Sequence, residues 1–252
     1  MGIANRAFPF FAAIDDVFAK SCSPTVSLVI WGILGGVVSM FLYRALSPQD
    51  RIAQCKTELA SLRRKLSGFE GEFAQILPLL RNQLSLSLNH VSLTVWPACV
   101  ASIPMLFLLA WLSVERSYTS PLPETSVVVE TYPTIVEMTW SAKNESLGAG
   151  KWRLIWPPID RVVAHAEGGD ERIVIPNGLS MPSVHKHQWW NALIGNPAGY
   201  IPDSTSIDRL YFKLTPAQYL GFGPAWMRGW EFTFFSALLL TSIVMKLVFR
   251  IK

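Results

Sequence analysis

The side chains best suited to chemistry fall into two groups. His185-x-His187, with His165 upstream, has a metal-ligand spacing, because alternate residues of a strand face the same way. Surface histidines beside Trp189-Trp190 are the simpler account, and no metal or other cofactor is expected. The second group is polar residues set in apolar surroundings. Ser85, Asn89 and Ser92 follow i, i+4, i+7 and share one helix face. Thr233 and Thr241 share a face of a later helix, with Ser236 beside them, and Arg44 closes a long uncharged stretch. These faces define a candidate groove, open to water, whose Arg44 would attract acidic chain ends. Hydroxyls in apolar helices also serve as packing contacts bonded to their own backbone, and that reading stands beside the first. No Walker loop, G-x-S-x-G, H-E-x-x-H or C-x-x-C occurs, so an enzyme is not expected. Asn144-Glu145-Ser146 is a glycosylation triplet, meaningful only in a eukaryotic lumen.

The elements that must carry these residues are legible in the hydropathy. Half of the 252 residues are apolar and the mean hydropathy is positive, while 16% are charged. That mixture implies a few membrane spans plus a water-facing domain. Val26–Tyr43 holds no charge, so residues 26–46 read as a first transmembrane helix. Residues 91–114 form a second, with Pro97 and Pro104 inside it and Trp96 and Trp111 suited to the two interfacial belts. Residues 230–252 are a third span with a basic tail, Lys246, Arg250 and Lys252.

Between the first two spans, residues 47–90 read as a helical hairpin. Ser47-Pro48-Gln49-Asp50 is a helix start in which Ser47 caps, Pro48 takes the first position and Asp50 favours the N-terminus. Ile52, Cys55, Leu59, Leu62 and Leu66 recur in steps of three and four, a coiled-coil seam continuing to Leu80. Gly68 and Gly71 interrupt that seam, so the chain is expected to fold back at 67–71, and Pro78 is expected to break the second arm.

Residues 115–229 change character. Eleven of the 17 prolines lie there, and short β-branched runs alternate with turn residues. Strands are expected at 126–132, 134–141, 151–156, 161–166, 172–176 and 208–214, with turns at 144–150 and 167–170 and loops over 177–206. This predicts a small β-sandwich-like insertion between spans two and three. Trp189, Trp190, Trp226 and Trp230, with Tyr219 and Phe222, look exposed before the third span, as an interfacial belt or a docking patch. At the other end, Phe8, Phe11, Ile14 and Phe18 fall at helical spacing, so residues 1–25 read as an interfacial helix lying on the membrane or as a hydrophobic N-terminus packed on the protein.

Charge sets the expected topology. Seven Lys/Arg, from Arg44 to Arg81, lie between the first two spans, and the basic tail shares their side. The positive-inside rule places hairpin and C-terminus in the cytoplasm, with the N-terminus and β-rich segment periplasmic. A net charge of +4 so distributed points to membrane lipids and other integral membrane proteins as partners, and not to nucleic acid. Cys22, Cys55 and Cys99 fall in three environments, so no internal disulfide is expected.

Met40-Phe41-Leu42-Tyr43-Arg44, the Ser47–Arg51 helix start, and Gly229-Trp230 followed by Phe234-Phe235-Ser236 and a basic end resemble a known pattern. Their order resembles the YidC/Oxa insertase superfamily, in its three-span branch that includes subunit 3 of the ER membrane protein complex and archaeal and bacterial relatives. The resemblance covers the spans and hairpin, about half the chain. It implies membrane-protein insertion through a polar groove, with Arg44 at the matching position. Two departures are visible: residues 47–90 hold no Met, and the segment between spans two and three is large. The competing reading is a non-catalytic subunit that scaffolds a larger membrane complex.

Overall fold

The computed structural model describes residues 2–68, 73–134, 136–158, 161–166, 172–176 and 178–249. Three of its helices are long and apolar enough to cross a membrane, and antiparallel sheets fill the region between the second and third of them. Two compact units emerge, one of residues 1–27 with 107–233 and one of 28–106 with 234–252.

The first unit opens on a 3-10 turn, Ala4–Ala7, and helix α1, Phe8–Ala19. Of the two readings of its apolar stripe, packing on the protein is the one seen in part: Phe8, Phe11, Ile14 and Phe18 are half-buried, and the Phe11 ring lies 5.8 Å from Trp111. Trp111 itself is 2% exposed, so it packs inside this unit rather than joining a lipid belt.

The sheets are β1 (Tyr118–Thr119) with β10 (Thr215–Pro216), a five-stranded sheet, and a three-stranded sheet. The five-stranded sheet runs β4 (Asn144–Gly148), β5 (Lys151–Ile155), β2 (Ser126–Tyr132), β9 (Arg209–Phe212), β8 (Ser183–His185). The smaller one runs β3 (Met138–Trp140), β6 (Arg161–Ala166), β7 (Arg172–Pro176). Alternation decides which side chains enter the core. Val127, Val129, Leu154, Val184, Leu210 and Phe212 from one sheet meet Met138, Trp140, Val162, Ala164, Ile173 and Ile175 from the other in a single hydrophobic cluster. The chain changes sheets over 141–143, where Ser141 N–H donates to Val163 O and Lys143 O accepts from Ile155 N–H.

Three expectations for this region fail for local reasons. Residues 144–150 are not only a turn: Asn144–Gly148 is an edge strand whose residues are all exposed, so it carries no apolar alternation to read. Its turn is tight, with Gly148, Ala149 and Gly150 all at positive φ. A Cβ on Gly150 would come within 2.7 Å of Thr131 Oγ1 and of the Thr134 backbone, so only glycine fits. The expected strand at 134–141 shortens to β3, and β8 lies inside the expected loop, being too short for a pattern. β6 and β7 pair as a hairpin, Arg161↔Pro176 to His165↔Arg172, while the expected turn at 167–170 lies outside the described residues.

The second unit contains most of the long helices. Helix α2, Pro24–Leu46, is about 35 Å long. Helix α3, Gln49–Ser67, buries Ile52, Cys55, Leu59 and Leu62, the expected seam. Cys55 Sγ donates to Leu86 O at 3.4 Å, which sets α3 back along helix α4, Phe73–Glu115. The start of α3 differs from expectation by one residue. Pro48 is the N-cap, and Ser47 Oγ is buried with no partner among the described residues instead of capping.

Helix α4 also corrects the break assigned to Pro78: it runs unbroken through Pro78, Pro97 and Pro104. Pro78 sits in the second turn, where a missing N–H removes a single intrahelical bond, so the helix continues at limited cost. The second arm of the hairpin and the second span are therefore one element of 43 residues, about 65 Å, twice the hydrocarbon thickness. The third candidate span is helix α6, Trp230–Val248, preceded in the first unit by the one-turn helix α5, Ala225–Arg228.

Candidate functional site

Within the second unit, α2 and α6 meet through glycine. A Cβ on Gly32 would lie 2.7 Å from Phe234 O and from Ala237 Cβ, and one on Gly36 would lie 2.9 Å from Thr241 Cβ. Gly32-x-x-x-Gly36 is thus the small-residue seam that lets two apolar helices approach backbone to backbone. The spacing was visible in the sequence and is the signal that could have found this contact. It also gives Thr241 a task, since its methyl and Cβ fill the space above Gly36.

Arg44 sits on the last turn of α2 and is exposed. Its Nη1 donates to Phe249 O at 3.3 Å and its guanidinium stands 5.3 Å from the Phe249 ring centroid. The cation therefore satisfies an orphan carbonyl at the C-terminal end of α6, where the helix dipole favours positive charge. Ser85, Asn89 and Ser92 are all exposed on α4, interleaved with exposed Leu84, Leu88 and Val91. Ser236 is half-buried on α6. Thr233 belongs to the first unit, where it is buried and its Oγ1 has no partner among the described residues.

The first unit holds a polar cluster that sequence reasoning missed. Asp15 on α1 accepts from Ser27 Oγ at 2.7 Å and forms an ion pair with Arg116. Tyr219 OH donates to Arg116 O at 3.0 Å, and Thr25 Oγ1 donates to Tyr219 O at 2.8 Å. Burial pushes the Tyr219 phenol up, against the opposing pull of Arg116, which keeps its proton available for that bond. Trp230 Nε1 donates to Ser117 Oγ at 3.0 Å. Residues 15, 27, 116 and 219 are scattered along the chain, so no local spacing could have announced them.

The four tryptophans assigned to an interface divide. Trp189 is 82% exposed, Trp226 70% and Trp190 44%, but Trp230 is only 5% exposed, so it is a core residue bonded to Ser117 and not part of an exposed belt. Trp226 packs its ring edge-on to Phe232 at 5.6 Å.

The histidines separate too. His165 lies on β6 of the smaller sheet, whereas His185 lies on β8 of the larger. Among the described residues no group of three His, Cys, Asp or Glu side chains could hold a metal ion. His185 and His187 instead flank Tyr200, at ring distances of 6.0 and 5.0 Å. On the same domain the Lys151 ammonium, 2.9 Å from Glu130, holds that carboxyl below its usual range. No family model, curated protein or solved structure matches the chain.

Proposed function

We propose that this chain is a multi-pass protein of the inner membrane that assists the insertion or assembly of other membrane proteins. The observation that carries the reading is the exposed Ser85–Asn89–Ser92 face on α4, a helix apolar enough to cross a membrane. Ser85 and Asn89 lie on the hairpin arm and Ser92 at the start of the span at 91–114. This face therefore brings polar groups to the membrane–water boundary, where a polar client segment would find the partners that lipid does not offer. Arg44, exposed at the end of α2, supplies a cation that an acidic client segment could share. The resemblance to three-span insertases, carried by Met40–Arg44 and Ser47–Arg51, favours the same reading.

In this proposal the α3–α4 hairpin and the C-terminal tail face the cytoplasm, and the two β-sheets form a sandwich on the periplasmic side. Cysteine-accessibility labelling tests the topology in a background without Cys22, Cys55 and Cys99. A cysteine at Thr57 should be protected from an impermeant maleimide in intact cells, and one at Ser146 should react. Equal reactivity of the two rejects the topology.

A scaffold role is the second reading, favoured by the contacts Arg44–Phe249 and Thr241–Gly36, in which two of the groove residues hold helices together. Photo-crosslinkers at Ser92 and Ser236 separate the two. Capture of the same newly made membrane protein by both probes, reduced several-fold by Arg44→Ala at equal protein abundance, supports insertion. Capture of one stoichiometric subunit, indifferent to Arg44→Ala, supports the scaffold.

A further inference from the structure

The outer face of the five-stranded sheet carries a row of side chains that neither reading above uses. Tyr132 pairs with Arg209 across β2 and β9, and Arg209 pairs with His185 across β9 and β8. Residues directly opposite one another share a face, so an aromatic ring, a guanidinium and an imidazole stand side by side. They line a cavity of about 600 Å³ together with Gln188, Trp190 and Asp208, and the Trp190 ring packs against His185 at 5.2 Å. That volume lies within the range of small-molecule sites.

The loop that carries Trp190 is held in place by two buried amide side chains. Asn191, 1% exposed, accepts from Gln188 N–H and donates to Ile194 O at 3.1 Å. Asn5, 8% exposed, clasps Gly195 on both sides, accepting from its N–H at 2.6 Å and donating to its carbonyl at 3.2 Å. Buried amides bonded to one surface loop fix its shape.

The chemistry of the lining selects a ligand class. His185 Nδ1 faces Lys186 O at 2.6 Å, and a carbonyl can only accept, so Nδ1 donates there and Nε2 of the neutral imidazole is the acceptor. Asp208 shares one carboxylate oxygen with Lys186 at 3.0 Å and keeps the other. Arg209 lies 5.5 Å from the Tyr132 ring centroid and has no carboxylate partner among the described residues. The site thus combines acceptors at His185 and Asp208, a donor at Arg209, and aromatic surfaces at Trp190 and Tyr132. A purely apolar ligand would strand all three polar groups. An added peptide strand is excluded as well, since the outer side of β8 is already occupied: Asn196 Nδ2 donates to Ser183 O, and Ile201 N–H to His185 O.

We propose that this cavity binds a neutral hexopyranose unit, its hydroxyls donating to His185 and Asp208 and accepting from Arg209 while its C–H face rests on Trp190. The sugar could be free or the head group of a glycolipid, and the test distinguishes them. Full-length protein in nanodiscs is examined by saturation-transfer NMR with glucose, galactose, mannose, N-acetylglucosamine and their β-1,4 disaccharides. The same protein is then tested for co-flotation with phosphatidylcholine vesicles with and without monoglucosyl diacylglycerol.

Saturable transfer from at least one sugar, weakened about tenfold by Arg209→Gln and by Trp190→Ala at unchanged melting temperature, supports the site with free sugar as ligand. Flotation that needs the glucolipid and is lost in the same variants supports it with a lipid-borne sugar. No transfer from any sugar together with glucolipid-independent flotation overturns the proposal, as does binding of inorganic phosphate that displaces the sugar. Because neither readout involves clients, its failure leaves the insertion reading untouched.

Discussion

Asp15→Ala should cost about 3 kcal/mol, the usual penalty for stranding one member of a largely buried pair. Arg116 and Asp15 side chains are only 17% and 14% exposed, so the guanidinium left behind cannot recover its hydration by simple rotation. The loss also frees Ser27 Oγ and slackens the link from α1 to Tyr219 that runs through Arg116. The measurement is the melting temperature in detergent, followed by tryptophan fluorescence, which should fall by several degrees. The double variant Asp15→Ala/Arg116→Met should recover much of the loss, because it removes the unpaired charge while keeping apolar volume. A single variant as stable as the wild type, or a double variant no better than the single, would show that the pair contributes nothing.

The second large effect is expected at the α2–α6 seam, and its sign is diagnostic. In an unpacked helix Gly→Ala gains about 1 kcal/mol of helix stability. At Gly32 and Gly36 the added methyl meets atoms at 2.7 and 2.9 Å, well inside van der Waals contact, so both substitutions should destabilise. The two sites should then respond differently to a compensating change. At Gly36 the closest atom belongs to the Thr241 side chain, so Thr241→Gly should restore part of the stability of Gly36→Ala. At Gly32 the Phe234 carbonyl is as close as Ala237 Cβ, so Ala237→Gly should not rescue Gly32→Ala. Melting temperatures of the four variants decide the matter. Stabilisation by either Gly→Ala change rules the close approach out.

These two cases show why some of the molecule was legible in advance. Gly32-x-x-x-Gly36 is a local spacing on one face, open to anyone reading residues four apart. The Asp15–Arg116 pair joins positions 101 apart, and before folding Asp15 is merely an acid interrupting an apolar stretch. Trp111 and Trp230 make the same point. Their type suits an interface, but one finds Phe11 and the other Ser117, and burial follows from those partners.

The sequence by itself determined the three apolar stretches, the buried α3 seam and the strands at 126–132, 161–166 and 172–176, whose bounds the structure reproduces. The apolar stretches are read from uncharged length, and the seam and strands from a period of 3.5 or 2 that runs long enough to outweigh local noise. Tertiary structure alone decided the rest. It drew β4 from a polar segment with no apolar alternation, because an edge strand needs only one partner's backbone. It carried α4 through Pro78, because a proline near a helix start removes only one hydrogen bond. It set Tyr132, Arg209 and His185 in one row, because cross-strand register is fixed by backbone pairing and leaves no trace in any single strand.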